Sequence, residues 1–163
     1  MDNRYVLINH YIVDPFYNNA DSDNIETFKL KFTHAFICTP DSVKYKLIIF
    51  LLKKNIKILV EKPLYLNDIN KYKNLKKLLQ IYKKSKLYVA YNHRFEPNII
   101  RLKKYLNFKN IGKIYSIEMY YGNGTAKLWS NSDWRKKDKK GVITDLAPHL
   151  LDIYLFLFGK MPN

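Results

Sequence analysis

A short run of apolar residues that ends in a charged pair places the strongest constraint on this chain. Residues 58–60 (Ile-Leu-Val) are typical of a buried parallel strand, Glu61 and Lys62 follow where that strand would end, and Pro63 stops it. In an open α/β sheet, ligands bind outside the carboxyl ends of the strands. Lys62 is therefore a candidate site residue, and the alternative is that it is only the solvated end of a strand.

The segments on either side of this strand alternate between two hydrophobic periods. Apolar runs predict strands, apolar residues at helical spacing predict helices, and the connections between them are short. The predicted strands are residues 5–13, 35–38, 57–60 and 87–91. The predicted helices are a short one within residues 21–31, with its cap among residues 21–24, one at residues 43–52, and a long one that is capped by Asn67 or Asp68 and reaches about Lys84. This order predicts an α/β fold with right-handed βαβ units in a parallel sheet.

The pattern changes after Tyr91, where residues 92–95 leave the sheet. Beyond them we expect a helix at residues 97–106, a half-exposed strand with alternating side chains at residues 113–121, and an apolar helix that ends at Gly159. The domain boundary therefore falls near Arg94. Residues 1–94 form the predicted parallel-sheet domain, and residues 95–163 begin a second, α+β domain.

The net charge of +15 raises the question of nucleic-acid binding. All basic residues are lysines except Arg4, Arg94, Arg101 and Arg135, whereas base and phosphate recognition favours arginine. The lysines are also spread over several predicted helices. We therefore favour a general residue bias with solvated lysine faces, and keep a basic nucleic-acid-binding module as an alternative.

Cysteine and hydropathy patterns exclude several other classes. The single cysteine, Cys38, lies in an apolar strand-like run and is expected in the core, and no Cys/His spacing predicts a metal site. The amino terminus has no signal-peptide pattern, and the apolar windows at residues 47–60 and 150–158 are interrupted or too short to cross a membrane. These features favour a protein of the reducing cytoplasm.

A second candidate site lies in the last predicted helix. Asp145 and His149 are four residues apart and Asp152 follows three later, so in a continuous helix they share one face. A carboxylate beside an imidazole is what general base catalysis needs, and the alternative is a His-Asp pair that only satisfies itself. Pro148 disfavours an uninterrupted helix, so the helix either kinks there or has its regular part begin there.

Six motifs in register resemble one known family, the glucose-fructose oxidoreductase / inositol dehydrogenase family, also called Gfo/Idh/MocA. The resemblance covers residues 36–159. It is carried by residues 37–40 (ICTP), 59–63 (LVEKP), 91–95 with Pro97 (YNHRF-P), 111–114 (IGKI), 134–135 (WR), and 141–149 with Asp152 (GVITDLAPH-D). It implies a Rossmann-like dinucleotide-binding domain followed by the beginning of a substrate domain.

The resemblance implies an oxidoreductase that uses NAD or NADP and acts on a sugar, nucleotide sugar or cyclitol. Lys62 would hold the reacting hydroxyl, Asp145 would position substrate and histidine, and His149 would remove the hydroxyl proton as hydride leaves for the cofactor. The residues that would line the nicotinamide and its ribose are Thr39, Pro40, Glu61, Lys62 and Asn92, with Asp14 at the position of the family's ribose-binding acid.

The sequence also departs from the family pattern. The family's glycine-rich G-x-G-x-x-G turn, which holds the pyrophosphate, is absent, since the chain has five glycines and none precedes Gly112. Lys44 stands where a histidine often follows the Thr-Pro turn. We therefore interpret the chain as a fragment or split part of such an oxidoreductase, with a possible homo-oligomer or full-length homologue as partner. The alternative is a non-catalytic subunit that docks on a full-length homologue.

Overall fold

The computed structural model describes residues 10–64, 66, 68–107, 111–122 and 142–159. The chain divides into two compact units, Met1–Phe32 and Thr33–Asn163. The predicted domain boundary near Arg94 stays a prediction. Within the described part of the chain, no helix is both long and apolar enough to cross a membrane.

The described part of the first unit, residues 10–32, consists of turns rather than the predicted strand and helix. Of the strand expected at residues 5–13, the first five residues lie outside the described part, and the rest make only one isolated bridge, between Val13 and Ser22. The helix expected at residues 21–31 is wrong. The Ser22 hydroxyl accepts a hydrogen bond from the Asn24 amide at 3.2 Å, and the Asn24 side chain accepts one from the Glu26 amide at 2.8 Å. Such local bonds compete with a helix for the backbone.

The second unit begins with three parallel strands and two helices, which confirms the parallel sheet with helices. The elements are strand β1 (His34–Ile37), helix α1 (Asp41–Lys53), strand β2 (Lys57–Val60), helix α2 (Ile69–Ile81) and strand β3 (Leu87–Val89). In the described residues the sheet has the order β1-β2-β3, and Val60 is paired with Ile37 on one side and Val89 on the other.

Side-chain alternation decides which face of the sheet is covered. Ile58 and Val60 point to the face on which α1 packs, and with Ile48 and Leu52 of α1 they form the fully buried core. Phe36 and Tyr88 point to the opposite face and remain 75% and 62% exposed. One face of this parallel sheet is therefore without a covering layer in the described part of the chain.

The ends of the elements refine the sequence predictions. Asp68 is the cap of α2, because its carboxylate accepts a hydrogen bond from the Asn70 amide at 2.8 Å, and α2 ends at Ile81 rather than Lys84. Cys38 was expected in the core, but it is exposed, because β1 ends at Ile37 and Cys38 belongs to the loop beyond the ladder.

Beyond the sheet the described chain is mostly helical. The elements are a 3-10 helix (Asn92–Phe95), α3 (Pro97–Asn107), α4 (Val142–Asp145) and α5 (Ala147–Phe158), and α3 packs against α5. The predicted stop at Gly159 is confirmed. Gly159 has a φ of 80°, in the left-handed region that favours glycine, and its amide donates to the Leu155 carbonyl at 2.8 Å.

The strand expected at residues 113–121 is wrong, since no ladder forms there. A strand needs a neighbour to bond with, and the described residues offer none at this position. Tyr115 and Tyr120 are therefore 85% and 88% exposed. Met119 and Tyr121 are partly covered.

Candidate functional site

The carboxyl ends of the three parallel strands bring five of the predicted cofactor-binding residues to one edge of the sheet. Thr39 and Pro40 follow β1, Glu61 and Lys62 follow β2, and Asn92 opens the 3-10 helix after β3. Glu61 and Asn92 are exposed, whereas Thr39 is half-buried. The Thr39 hydroxyl oxygen is buried and has no hydrogen-bond partner in the described part of the chain.

Lys44 of α1 fixes the backbone on both sides of Lys62. Lys44 is only 4% exposed, and its ammonium donates to the Glu61 carbonyl at 2.9 Å and to the Pro63 carbonyl at 3.3 Å. Asp41, one turn earlier, pairs with the same ammonium at 2.7 Å. The sequence marked Lys44 only as a departure from the family pattern. Its role depends on contacts that no short motif records.

Lys62 reaches across the second unit to the beginning of the last helices. Its ammonium lies 2.6 Å from an Asp145 carboxylate oxygen and 3.0 Å from the Asp145 carbonyl. The two residues are 83 positions apart in sequence, and both side chains are partly covered. The structure thus joins the charged end of β2 to the carboxylate predicted to act with it.

His149 lies beside this pair in the first turn of α5, and it is 7% exposed. Its Nδ1 is buried and has no partner among the described residues. Burial lowers the pKa of His149, and the positive charges of Lys62 and His93 lower it further, while Asp145 and Asp152 act in the opposite direction. His149 is thus held in the neutral form that accepts a proton.

Asp145, His149 and Asp152 do not share one continuous helix. Helix α4 ends at Asp145, Leu146 interrupts, and Pro148 stands in the first turn of α5. Two outcomes were expected at Pro148, a kinked helix or a regular helix that begins there, and the structure has the second. As a consequence, Asp145 turns to Lys62 and Asp152 turns to a different partner.

That partner is Arg94, which donates hydrogen bonds to Asp152 from two nitrogens. Nε lies 3.0 Å from one carboxylate oxygen and Nη2 contacts the other, and this hydrogen bonding is the main cause of the raised pKa of Arg94. Asp152 is buried. The pKa of the neighbouring Tyr91 is raised, first by the burial of Tyr91 itself and then by the negative charge of Asp152. An apolar cavity of about 270 Å³ opens beside this pair, between Pro63, Tyr91, Pro148 and Leu151.

A second histidine, His93, stands against His149. The ring centroids are 4.6 Å apart in an edge-on arrangement. His93 Nδ1 contacts the Glu96 carboxylate, and Nε2 lies 2.9 Å from the Tyr121 hydroxyl. His93 lies in the motif at residues 91–95, but no role was assigned to it, to Glu96 or to Tyr121 from the sequence. A His followed three residues later by Glu is the one local signal that points to the cluster.

One feature of the sheet edge fits a bound ligand. The Thr39 hydroxyl is buried without a partner in the described residues, and at the same edge the Lys62 ammonium lies 2.6 Å from the Asp145 carboxylate. Asp14 belongs to the first unit, where its carboxylate accepts a hydrogen bond from the Phe16 amide, and its ribose role stays a prediction. Within the described residues, no group of His, Cys, Asp and Glu is arranged to hold a metal ion.

Comparison with known proteins identifies two family domains along the chain. Residues 11–93 match the oxidoreductase family with an NAD-binding Rossmann fold, and residues 99–163 match the GFO/IDH/MocA C-terminal domain. A related protein, inositol 2-dehydrogenase of Rhizobium meliloti (strain 1021), is 28% identical over 126 residues, which are 77% of this chain and 36% of the relative.

Solved structures share the fold of this chain. The myo-inositol 2-dehydrogenase of Lactobacillus plantarum has a TM-score of 0.70 at 20% identity, over 82% of this chain and 39% of the other. The apo scyllo-inositol dehydrogenase of Lactobacillus casei has a TM-score of 0.60 at 22% identity, over 80% and 37%. The chain therefore spans little more than a third of the length of these relatives. It belongs to the Gfo/Idh/MocA family of oxidoreductases.

Proposed function

We propose that this chain carries the catalytic residues of an oxidoreductase that moves hydride between NAD or NADP and a hydroxyl-bearing carbon of a sugar, nucleotide sugar or cyclitol. The observation that carries the proposal is the contact between the Lys62 ammonium and Asp145, with a buried, neutral His149 beside it. Membership in the oxidoreductase family and the inositol dehydrogenases among its relatives support this substrate class.

His149, Lys62 and Asp145 have different charges and therefore different roles. A neutral imidazole at His149 accepts the hydroxyl proton, because burial and nearby cations keep it free of a proton beforehand. The Lys62 ammonium donates to the same substrate oxygen and stabilises negative charge as the proton leaves. Asp145 holds that ammonium in position by accepting from it at 2.6 Å. Hydride leaves readily only from a carbon whose oxygen is losing its proton.

The cofactor supplies the hydride acceptor, and this chain supplies the residues that contact the nicotinamide end of the cofactor. Thr39, Pro40, Glu61, Lys62 and Asn92 would line the nicotinamide and its ribose, with Asp14 as the ribose acid. The uncommitted Thr39 hydroxyl supports this assignment, since a buried hydroxyl without a partner is costly unless a ligand satisfies it. The pyrophosphate would be held by a glycine-rich turn from outside this sequence.

A second candidate function is docking on a full-length homologue without catalysis. The uncovered sheet face at Phe36 and Tyr88 and the exposed tyrosines of residues 111–122 favour it. Stoichiometric co-purification with a complete homologue, together with turnover that does not depend on Lys62 or His149 of this chain, would support docking alone.

The catalytic proposal is tested in a fusion that places a relative's strand–turn–helix unit ahead of Tyr5. The fusion is expected to reduce NAD or NADP with at least one member of a panel of inositols and sugars. Lys62→Met and His149→Gln should each lower turnover by roughly 10²–10⁴-fold, as for general acid–base groups, and His149→Gln should retain cofactor binding. The exposed His34→Gln is the matched control and should keep full turnover. A fusion that binds dinucleotide but oxidises no member of the panel contradicts the proposal.

A further inference from the structure

The His93 side chain is the part of this site to which the proposed chemistry gives no role. Its ring packs edge-on against the ring of His149, with the centroids 4.6 Å apart. The two rings belong to different elements, the 3-10 helix after β3 and helix α5. A second titratable ring in contact with the candidate base influences both the position and the charge of that base.

Both nitrogens of His93 are engaged. Nδ1 contacts the carboxylate of Glu96, and Nε2 lies 2.9 Å from the Tyr121 hydroxyl. An ionised carboxylate only accepts hydrogen bonds, so Nδ1 carries a proton. In the neutral ring, Nε2 then accepts from the Tyr121 hydroxyl, and in the protonated ring it donates to it. The two partners therefore fix the orientation and the tautomer of His93.

His149 is held in a different way. Its Nδ1 has no hydrogen-bond partner in the described residues, so no bond at that atom sets the direction of the ring. Instead the ring is enclosed by three aromatic neighbours, Tyr91, His93 and Tyr121, with centroid distances of 6.2, 4.6 and 5.7 Å. His93 is the nearest of them and is itself anchored.

The charged groups around His149 come from several elements. Lys62 after β2 and His93 after β3 disfavour a proton on His149, while Asp145 of α4 and Asp152 of α5 favour one. Arg94 is occupied by Asp152, and the Tyr91 hydroxyl stays neutral because its pKa is raised. Among these groups, a histidine is the kind of side chain that changes its charge near neutral pH.

We propose that His93 is a positioning residue for His149: held between Glu96 and Tyr121, its ring keeps the His149 ring in place. A positive charge on His93 also opposes proton uptake by His149. The proposal deepens the proposed function and rests on it, because a general base must be neutral to accept the hydroxyl proton.

The test is a pH titration of the histidine ring C2–H resonances of the full chain by NMR. The histidines are His10, His34, His93 and His149, so single His→Gln variants assign each resonance. In His93→Gln the midpoint of His149 is expected to move to higher pH. The expected rise in its proton-binding constant is at least roughly fourfold, which is the effect of two unit charges at this separation in bulk water. The exposed His34→Gln is the matched control and should leave the His149 midpoint unchanged.

A second variant keeps the test decisive if His93→Gln fails to fold. Glu96→Gln retains the His93 ring but replaces the carboxylate at Nδ1 by an amide. The ring ¹⁵N shifts of His93 should then move from one tautomer towards a mixture, and the His149 resonances should change with them. A His149 titration that is unchanged in the folded variants, or that moves to lower pH in His93→Gln, overturns the proposal. The titration needs neither cofactor nor substrate, so failed turnover in the fusion contradicts the proposed function without affecting this result.

Discussion

Burial decides the charge of His149 in the folded chain. Its pKa lies below the ordinary value of 6.5, first because the ring is buried and then because Lys62 and His93 repel a proton. In the unfolded chain that protection is lost. The unfolded state therefore binds more protons than the folded state in the window between the lowered pKa and about 6.5, and folding stability falls as pH falls through that window.

This sign gives a prediction about stability. The free energy of unfolding should decrease on going from roughly pH 7.5 to roughly pH 5.5, and His149→Gln should remove part of that decrease because the amide does not titrate. Urea unfolding at both pH values, with His34→Gln as the exposed control, measures the effect. An equal pH dependence in wild type and His149→Gln would show that burial of this ring does not disfavour its protonated form.

At the residue scale, the sequence identified Lys62, Asp145 and His149 through motifs, and their roles stay proposals. The sequence motifs assigned no role to Lys44 or His93, because their contacts are with partners on other elements. Lys44 bonds the carbonyls of Glu61 and Pro63, and His93 contacts His149, 56 positions away in sequence. Cys38 was misplaced because an apolar run does not mark the residue at which a strand ends.

At the element scale, the loop after β2 depends on a buried ammonium from α1. Lys44→Met should leave the carbonyls of Glu61 and Pro63 without their donor and lower the free energy of unfolding by about 1–3 kcal/mol. Lys53→Met, at the exposed end of the same helix, is the matched control and should change stability little. Equal stability of the two variants in chemical denaturation would contradict the role given to Lys44.

Residues 111–122 illustrate why alternation alone does not make a strand. The sequence pattern is present, but a ladder needs a partner, and the described residues provide none. By contrast β1, β2 and β3 were predicted correctly to within two residues, because each is a short apolar run with a neighbour to pair with. The failed helix at residues 21–31 shows the same limit, since side chains there satisfy the backbone locally.

The exposed apolar side chains of residues 111–122 predict self-association. The purified chain should form oligomers or aggregates in light scattering, because a cluster of exposed apolar side chains favours association. The double variant Tyr115→Lys with Ile117→Lys should have a lower mean particle mass in light scattering than the wild-type chain. Phe16→Lys, at an exposed aromatic of the first unit, is the control and should not. A wild-type chain that is a monodisperse monomer is the contrary result.

For the molecule as a whole, we propose that the chain holds one edge of a cofactor site, without the turn that binds phosphate. The resemblance predicted this division, since the motifs from residue 36 onward are present and no glycine precedes Gly112. Thr39, Lys62 and Asn92 lie at the carboxyl edge of the sheet, and we propose that they contact the nicotinamide and its ribose. The dinucleotide pyrophosphate would lack its main partner, and scattered lysines on solvated faces do not replace a shaped site.

Titration of the ¹⁵N-labelled chain with reduced nicotinamide mononucleotide measures whether this chain makes the contacts to the nicotinamide end of the cofactor. The mononucleotide has no pyrophosphate, so it depends only on contacts that this chain is proposed to make. We predict weak binding, with amide shifts concentrated at Thr39, Lys62, Asn92 and His149, and no large gain in affinity for NADH or NADPH. Shifts confined to the lysine-rich surface of α2, or saturable NADH binding at micromolar concentration and physiological salt, would contradict the account.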